Sequence, residues 1–94
     1  MKIAVSVNQD GKIMEHLGRC KLFNIYQQEE KLDFLESRET DGNHQNHIIE
    51  DIKDCDVIIS GKIGDGMLEN LKKLGIEPIV EQDIKDPILA INKL

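Results

Sequence analysis

Apolar residues at the start of the chain recur with period two. Over residues 2–8, Ile3, Val5 and Val7 share one face and the small Ala4 and Ser6 the other, which predicts a strand covered on both sides. Asp10-Gly11 signals a turn. Phe23 and Ile25 share a face over residues 21–27, and Leu32, Phe34 and Glu36 alternate over residues 31–39. Both segments predict strands, joined as a hairpin across residues 28–31. After the polar stretch "TDGNHQNH", the period changes: Ile48, Ile49, Ile52 and Cys55 recur at helical spacing. Residues 57–59 are continuously apolar, as in a central parallel strand. Met67, Leu68, Leu71 and Leu74 predict a second helix, with Asp65 as its N-cap and Gly75 just past its end. Residues 76–80 form a short strand whose Pro78 cannot donate to a ladder, which assigns it to a sheet edge. Asp86-Pro87 is an N-cap followed by proline at the first helical position, and Ile88, Leu89 and Ile91 are expected to face the sheet.

The predicted order is therefore β-β-β-α-β-α-β-α. Early strands joined by a hairpin run antiparallel, whereas later ones joined by helices cross over right-handedly and run parallel. The expected product is one α/β domain over residues 1–94, a mixed sheet of about five strands covered by helices.

Composition narrows the partners. Eighteen acids against twelve bases give a net charge of −6, which opposes nucleic-acid binding and adhesion to anionic membranes. No apolar run approaches the roughly 18 residues of a membrane span, and the N-terminal segment lacks a signal-peptide core. A cytoplasmic location is expected, with Cys20 and Cys55 as thiols rather than a disulfide. Aromatic residues make up only 3% of the chain, so aliphatic side chains must build the core.

Candidate chemistry concentrates in "MEHLGRC", Met14 to Cys20, which is poor in core-forming residues and rich in reactive ones. His16 and Cys20 are soft ligands suited to zinc, copper or iron-sulfur species. Cys20 is equally readable as a small buried residue. His44 and His47 are spaced to chelate on a helical turn, but two histidines fall short of a stable zinc site, and both also read as solvated loop residues. Cys55 lies on an apolar stripe and reads as core. "SGKIGDG", residues 60–66, follows a strand and opens a helix, where backbone N–H groups favour anions. It matches no dinucleotide or Walker motif, so a tight turn needing glycine competes with an anion site helped by Lys62. No catalytic constellation is visible.

The strand "MKIAVSV", the segment "EHLGRCKLFNIY" and the run "DVIISGKIGDGMLENLKKLGIEPI" together resemble the dinitrogenase iron–molybdenum cofactor biosynthesis family, the NifX/NafY-like small domains. The family pattern pairs an "S-x-H-F-G-R/H-A-x-x-F" segment with a "V-[IV]-x-G-G-[IM]-G" turn. Met14, Leu17, Cys20 and Lys62 stand here for its serine, phenylalanine, alanine and second glycine. The resemblance implies a ribonuclease-H-like three-layer fold, without nuclease activity. Its mixed five-stranded sheet has order 3-2-1-4-5, strand 2 antiparallel, and helices on both faces. It also implies that His16 contacts an iron-sulfur or iron–molybdenum cluster precursor. Gly18, Arg19, Gly61, Lys62 and Gly64 would complete the cofactor site, and Cys20, His44 and His47 are further metal candidates outside the motif. The resulting expectation is a non-catalytic carrier exchanging a cluster with donor or acceptor proteins. The alternative is a metal-free interaction or regulatory domain binding a protein or a small anionic metabolite.

Overall fold

A computed structural model describes residues 1–40 and 45–94, with side chains from residue 48 onward in the second stretch. Strands β1 (Lys2–Val7), β2 (Leu22–Gln28) and β3 (Leu32–Glu39) precede helix α1 (Gln45–Ile52). Strand β4 (Val57–Ser60), helix α2 (Asp65–Lys73), strand β5 (Glu77–Val80) and helix α3 (Pro87–Asn92) follow. The sheet order is β3-β2-β1-β4-β5. β2 is antiparallel to β1 and β3, while β1, β4 and β5 run parallel, as expected.

The alternation in β1 sorts the core into two layers. Ile3, Val5 and Val7 join Tyr26, Val57 and Ile59 under Ala90 and Ile91 of α3. Ala4, Phe23, Ile25 and Ile58 face α1 and α2, through Ile48, Ile52, Met67 and Leu71. All four residues of β4 are buried, which is why residues 57–59 are apolar without alternation. Pro78 lies on the edge strand β5. No helix among the described residues is long and apolar enough to cross a membrane.

The helix ends follow their sequence signals with one exception. Asp86 Oδ1 accepts from the Ile88 N–H at 2.9 Å, with Pro87 at the first helical position. Gly75, at φ +78°, closes α2: its N–H donates to Lys72 and that of Ile76 to Leu71, a double bond pattern that only a left-handed residue permits cheaply. The N-cap of α2 is Gly64 rather than Asp65. Asp65 instead occupies the first turn, where its charge complements the helix dipole. Two expected core faces are narrower than predicted. Ile88 and Leu89 are 41% and 56% exposed, because the six-residue α3 turns only Pro87, Ala90 and Ile91 to the sheet. Leu74, the C-cap of α2, is also exposed.

At the amino ends of β1 and β4, Arg38 fastens the edge strand β3 to the end of α1. Its guanidinium grips both Asp54 oxygens at 2.6 and 2.9 Å and donates to the Asp51 carbonyl, and Lys2 Nζ adds a bond to Asp54 at 3.0 Å. Arg38 holds the Asp54 carboxyl well below the usual carboxylate range. A carboxyl depressed in the folded state stabilises the protein above its unfolded pKa, and that contribution fades as pH falls. Asp54 is half-exposed, so screening limits the term to about 1 kcal/mol. Asp54→Asn should therefore lower stability at neutral pH and flatten its acid dependence below about pH 4. Urea midpoints from pH 7 to pH 2.5 measure both, and parallel curves for the two proteins would refute the role.

Candidate functional site

Three loops meet at the carboxyl ends of the parallel strands β1, β4 and β5, the end at which open α/β sheets place ligands. The loop after β1 doubles back at Asp10-Gly11, so that Val7 pairs with Ile13. Its return limb then runs beside the end of β4. The Ser6 carbonyl accepts from the Met14 N–H at 2.9 Å. The Gly61 and Lys62 N–H groups donate to the carbonyls of Met14 and Glu15 at 2.8 and 2.6 Å, and the Leu17 N–H donates to Lys62 at 3.0 Å. His16 and Lys62 form a parallel bridge, which sets their side chains next to each other.

Each residue of the segment is thereby sorted. His16 is extended, at φ −136° and ψ 126°, and its side chain is exposed. Leu17 begins a single 3-10 turn (Leu17–Arg19) and is buried in the core, anchoring the turn from below. Arg19 and Gly18 are exposed. Cys20 is fully buried and donates its S–H to the Leu22 carbonyl at 3.0 Å. Burial pushes its thiol up to about 11, so it is protonated at neutral pH. The Cys20 sulfur is not brought to the surface with His16, which favours the packed-residue alternative over the ligand. Cys55 is likewise buried beyond the end of α1, with its thiol raised to about 11, first by burial and then by Asp54. His44 and the His47 side chain lie outside the described residues. Among the described residues, no three His, Cys, Asp or Glu side chains converge on a point that could hold a metal ion.

The glycine loop acts chiefly as a seam. A Cβ on Gly61 would fall within 3.0 Å of the Glu15 and Met14 carbonyl oxygens, so only glycine lets the two segments approach this closely. The Gly61 and Lys62 amides are spent on that seam and are not offered to an anion. Gly64 stays exposed at the start of α2.

The result is a shallow groove centred on His16, made of three adjoining depressions of about 290, 410 and 380 Å³, all lined by His16. Arg19, Lys62 and Gly64 line the flank toward α2. Asn8, Lys12 and Lys85 line the other, with Gln82 and the single carboxylate Glu15 nearby. The sequence pattern did not single out Asn8, Lys12, Gln82 or Lys85. They come from loops far apart in the chain, and nothing local marks them.

A family model described as "Dinitrogenase iron-molybdenum cofactor" matches residues 1–94. The chain belongs to this family. Curated relatives of the family domain include the FeMo cofactor biosynthesis proteins NifB of Bradyrhizobium diazoefficiens and of Herbaspirillum seropedicae, 32% and 30% identical over 82% of this chain. The chain spans only 17% of the length of each. Two solved structures share the fold. PH0822 superposes with a TM-score of 0.77 at 24% identity, covering 85% of this chain and 76% of its own. The protein mj0327 of Methanocaldococcus jannaschii superposes with a TM-score of 0.72 at 22% identity, covering 97% and 84%. Membership associates the family domain with the iron–molybdenum cofactor.

Proposed function

We propose that this protein is a non-catalytic carrier in metallocofactor assembly, binding an iron-sulfur or iron–molybdenum cluster precursor through His16 and passing it between donor and acceptor proteins. The observation that carries the reading is the exposed imidazole of His16 at the centre of a groove walled by cations in an acidic protein. An imidazole is a suitable ligand for iron, and Arg19 and Lys62 beside it complement the negative charge of a thiolate- or sulfide-rich cluster. Transfer favours few protein ligands. A closed cage of four side chains holds a metal structurally, whereas a single exposed ligand leaves most of the cargo accessible to an acceptor. The carrier reading also draws on the family match and on the biosynthetic role named for the curated relatives.

Anaerobic titration of the full chain with a cluster donor, followed by visible absorption and iron analysis, tests this. Wild type should bind stoichiometrically, and His16→Ala should bind at least about tenfold more weakly, the loss of roughly 1.4 kcal/mol or more. Equal, stoichiometric binding by both proteins would remove His16 from the role. Absence of iron and of charge-transfer bands in reconstituted wild type would overturn the carrier reading in favour of a metal-free interaction domain.

A further inference from the structure

The cations of this protein fall into two groups. Lys2, Lys31, Arg38, Lys53 and Lys93 each meet a carboxylate. Among the described residues, Lys21, Lys72 and Lys73 do not, and neither do four more, Lys12, Arg19, Lys62 and Lys85, although acids outnumber bases by eighteen to twelve. These last four all line the His16 groove. Arg19 and Lys62 line the α2 flank and serve the function proposed above, and Arg19 also borders the other flank. Lys12 and Lys85 stand on the opposite flank, and that function does not use them.

Their placement is built rather than incidental. Lys12 follows the turn at Gly11, and the next residue, Ile13, donates its N–H to the Lys85 carbonyl at 2.8 Å. This bond joins the β1 loop to the loop before α3 and brings both lysines to one depression. Asn8 shares that depression, and its carboxamide is oriented: Oδ1 accepts from the N–H groups of Asp10 and Lys12 at 2.9 and 3.0 Å. With the oxygen committed to the backbone, the Nδ2 amine is the end left to donate outward. Two ammonium groups and an amide donor, bordered by Arg19 and His16 and with Glu15 as the one carboxylate of the depression, form a donor set for an oxyanion.

We propose that the flank formed by Asn8, Lys12 and Lys85 is a second anion subsite, taking a carboxylate or phosphate group beside the ligand held at His16. The inference rests on the reading above in treating the groove as a ligand site, but it requires no metal. It is tested on the full chain without any cluster, by titrating inorganic phosphate and, separately, malonate while following amide and side-chain NH2 resonances. Saturable shifts are expected at the Asn8 side-chain amide and around residues 12–14 and 84–86. The double variant Lys12→Gln/Lys85→Gln should weaken binding about tenfold. The titration contains no cluster and its variants leave His16 in place, so a failure of cluster binding and a failure of this subsite are told apart. Saturation by either anion supports the subsite, and the preferred anion identifies the oxyanion class. No saturable shift with either, or equal binding by the double variant, would overturn it.

Discussion

Replacing Gly61 by alanine should destabilise the protein by about 3 kcal/mol and displace the segment that carries His16. The new methyl group would meet the backbone oxygens of Glu15 and Met14, and neither can rotate away as a side-chain end could. Relief requires the two segments to separate, which breaks or stretches the bonds from Gly61 to Met14 and from Lys62 to Glu15. Overpacking costs about 1–3 kcal/mol and each lost backbone bond about 1 kcal/mol, with part recovered by relaxation. Urea denaturation measures the stability change, and a protein of this size should lose roughly 15 °C in Tm. Because Leu17 remains plugged into the core, the fold should survive while the Lys62 neighbourhood of His16 is lost. An alanine variant with wild-type stability and unchanged His16 resonances would refute the seam.

The second large effect is expected one layer below, at a pair of serines. Ser6 and Ser60 are fully buried at the ends of β1 and β4, and Ser6 Oγ donates to Ser60 Oγ at 2.6 Å. Their carbonyls hold the loops above them: Ser6 accepts from Met14, and Ser60 accepts from Glu81 at 2.7 Å. Ser60→Ala leaves the Ser6 hydroxyl buried without its partner, at a cost of about 1–3 kcal/mol. Ser6→Ala should cost a similar amount. The double alanine variant removes both polar groups and should be less destabilised than the sum of the two, with a coupling of about 1 kcal/mol in a double-mutant cycle. Strict additivity would show that the hydroxyls act independently.

Much of the fold was legible because local chemistry and the global arrangement agree. Period-two alternation marked β1, unbroken apolarity marked β4 as central, and Pro78 marked β5 as an edge. Asp86-Pro87 and Gly75 marked helix ends by the backbone groups they satisfy or the dihedral they permit. The errors have two causes. Periodicity tells which residues share a helix face but not how much of that face the sheet can cover. Ile88, Leu89 and Leu74 therefore lie exposed where burial was expected. Asp65 was misplaced by one position, since Gly64 caps α2 through its extended backbone without a side-chain bond.

The site divides along the same line. His16, Gly18 and Arg19 stand out locally because a short run with few apolar residues carries so many reactive groups. Whether Cys20 turned outward or inward depended on what the 3-10 turn packs against, which no spacing encodes. Gly61 read either as a turn glycine or as part of an anion loop, yet in the fold it permits close approach between segments distant in the chain.

From the chain alone came the alternation of strands and helices, the acidic surplus, and a reactive histidine between the first two strands. The tertiary structure decided which charges that histidine meets. The parallel register of β1 against β4 and β5 brings the carboxyl ends of three strands together. Lys12, Lys62 and Lys85, scattered along an acidic chain, thus become neighbours around one imidazole. Pairing across the sheet follows the summed burial of two core layers, a property of the whole chain that no single stretch of it carries.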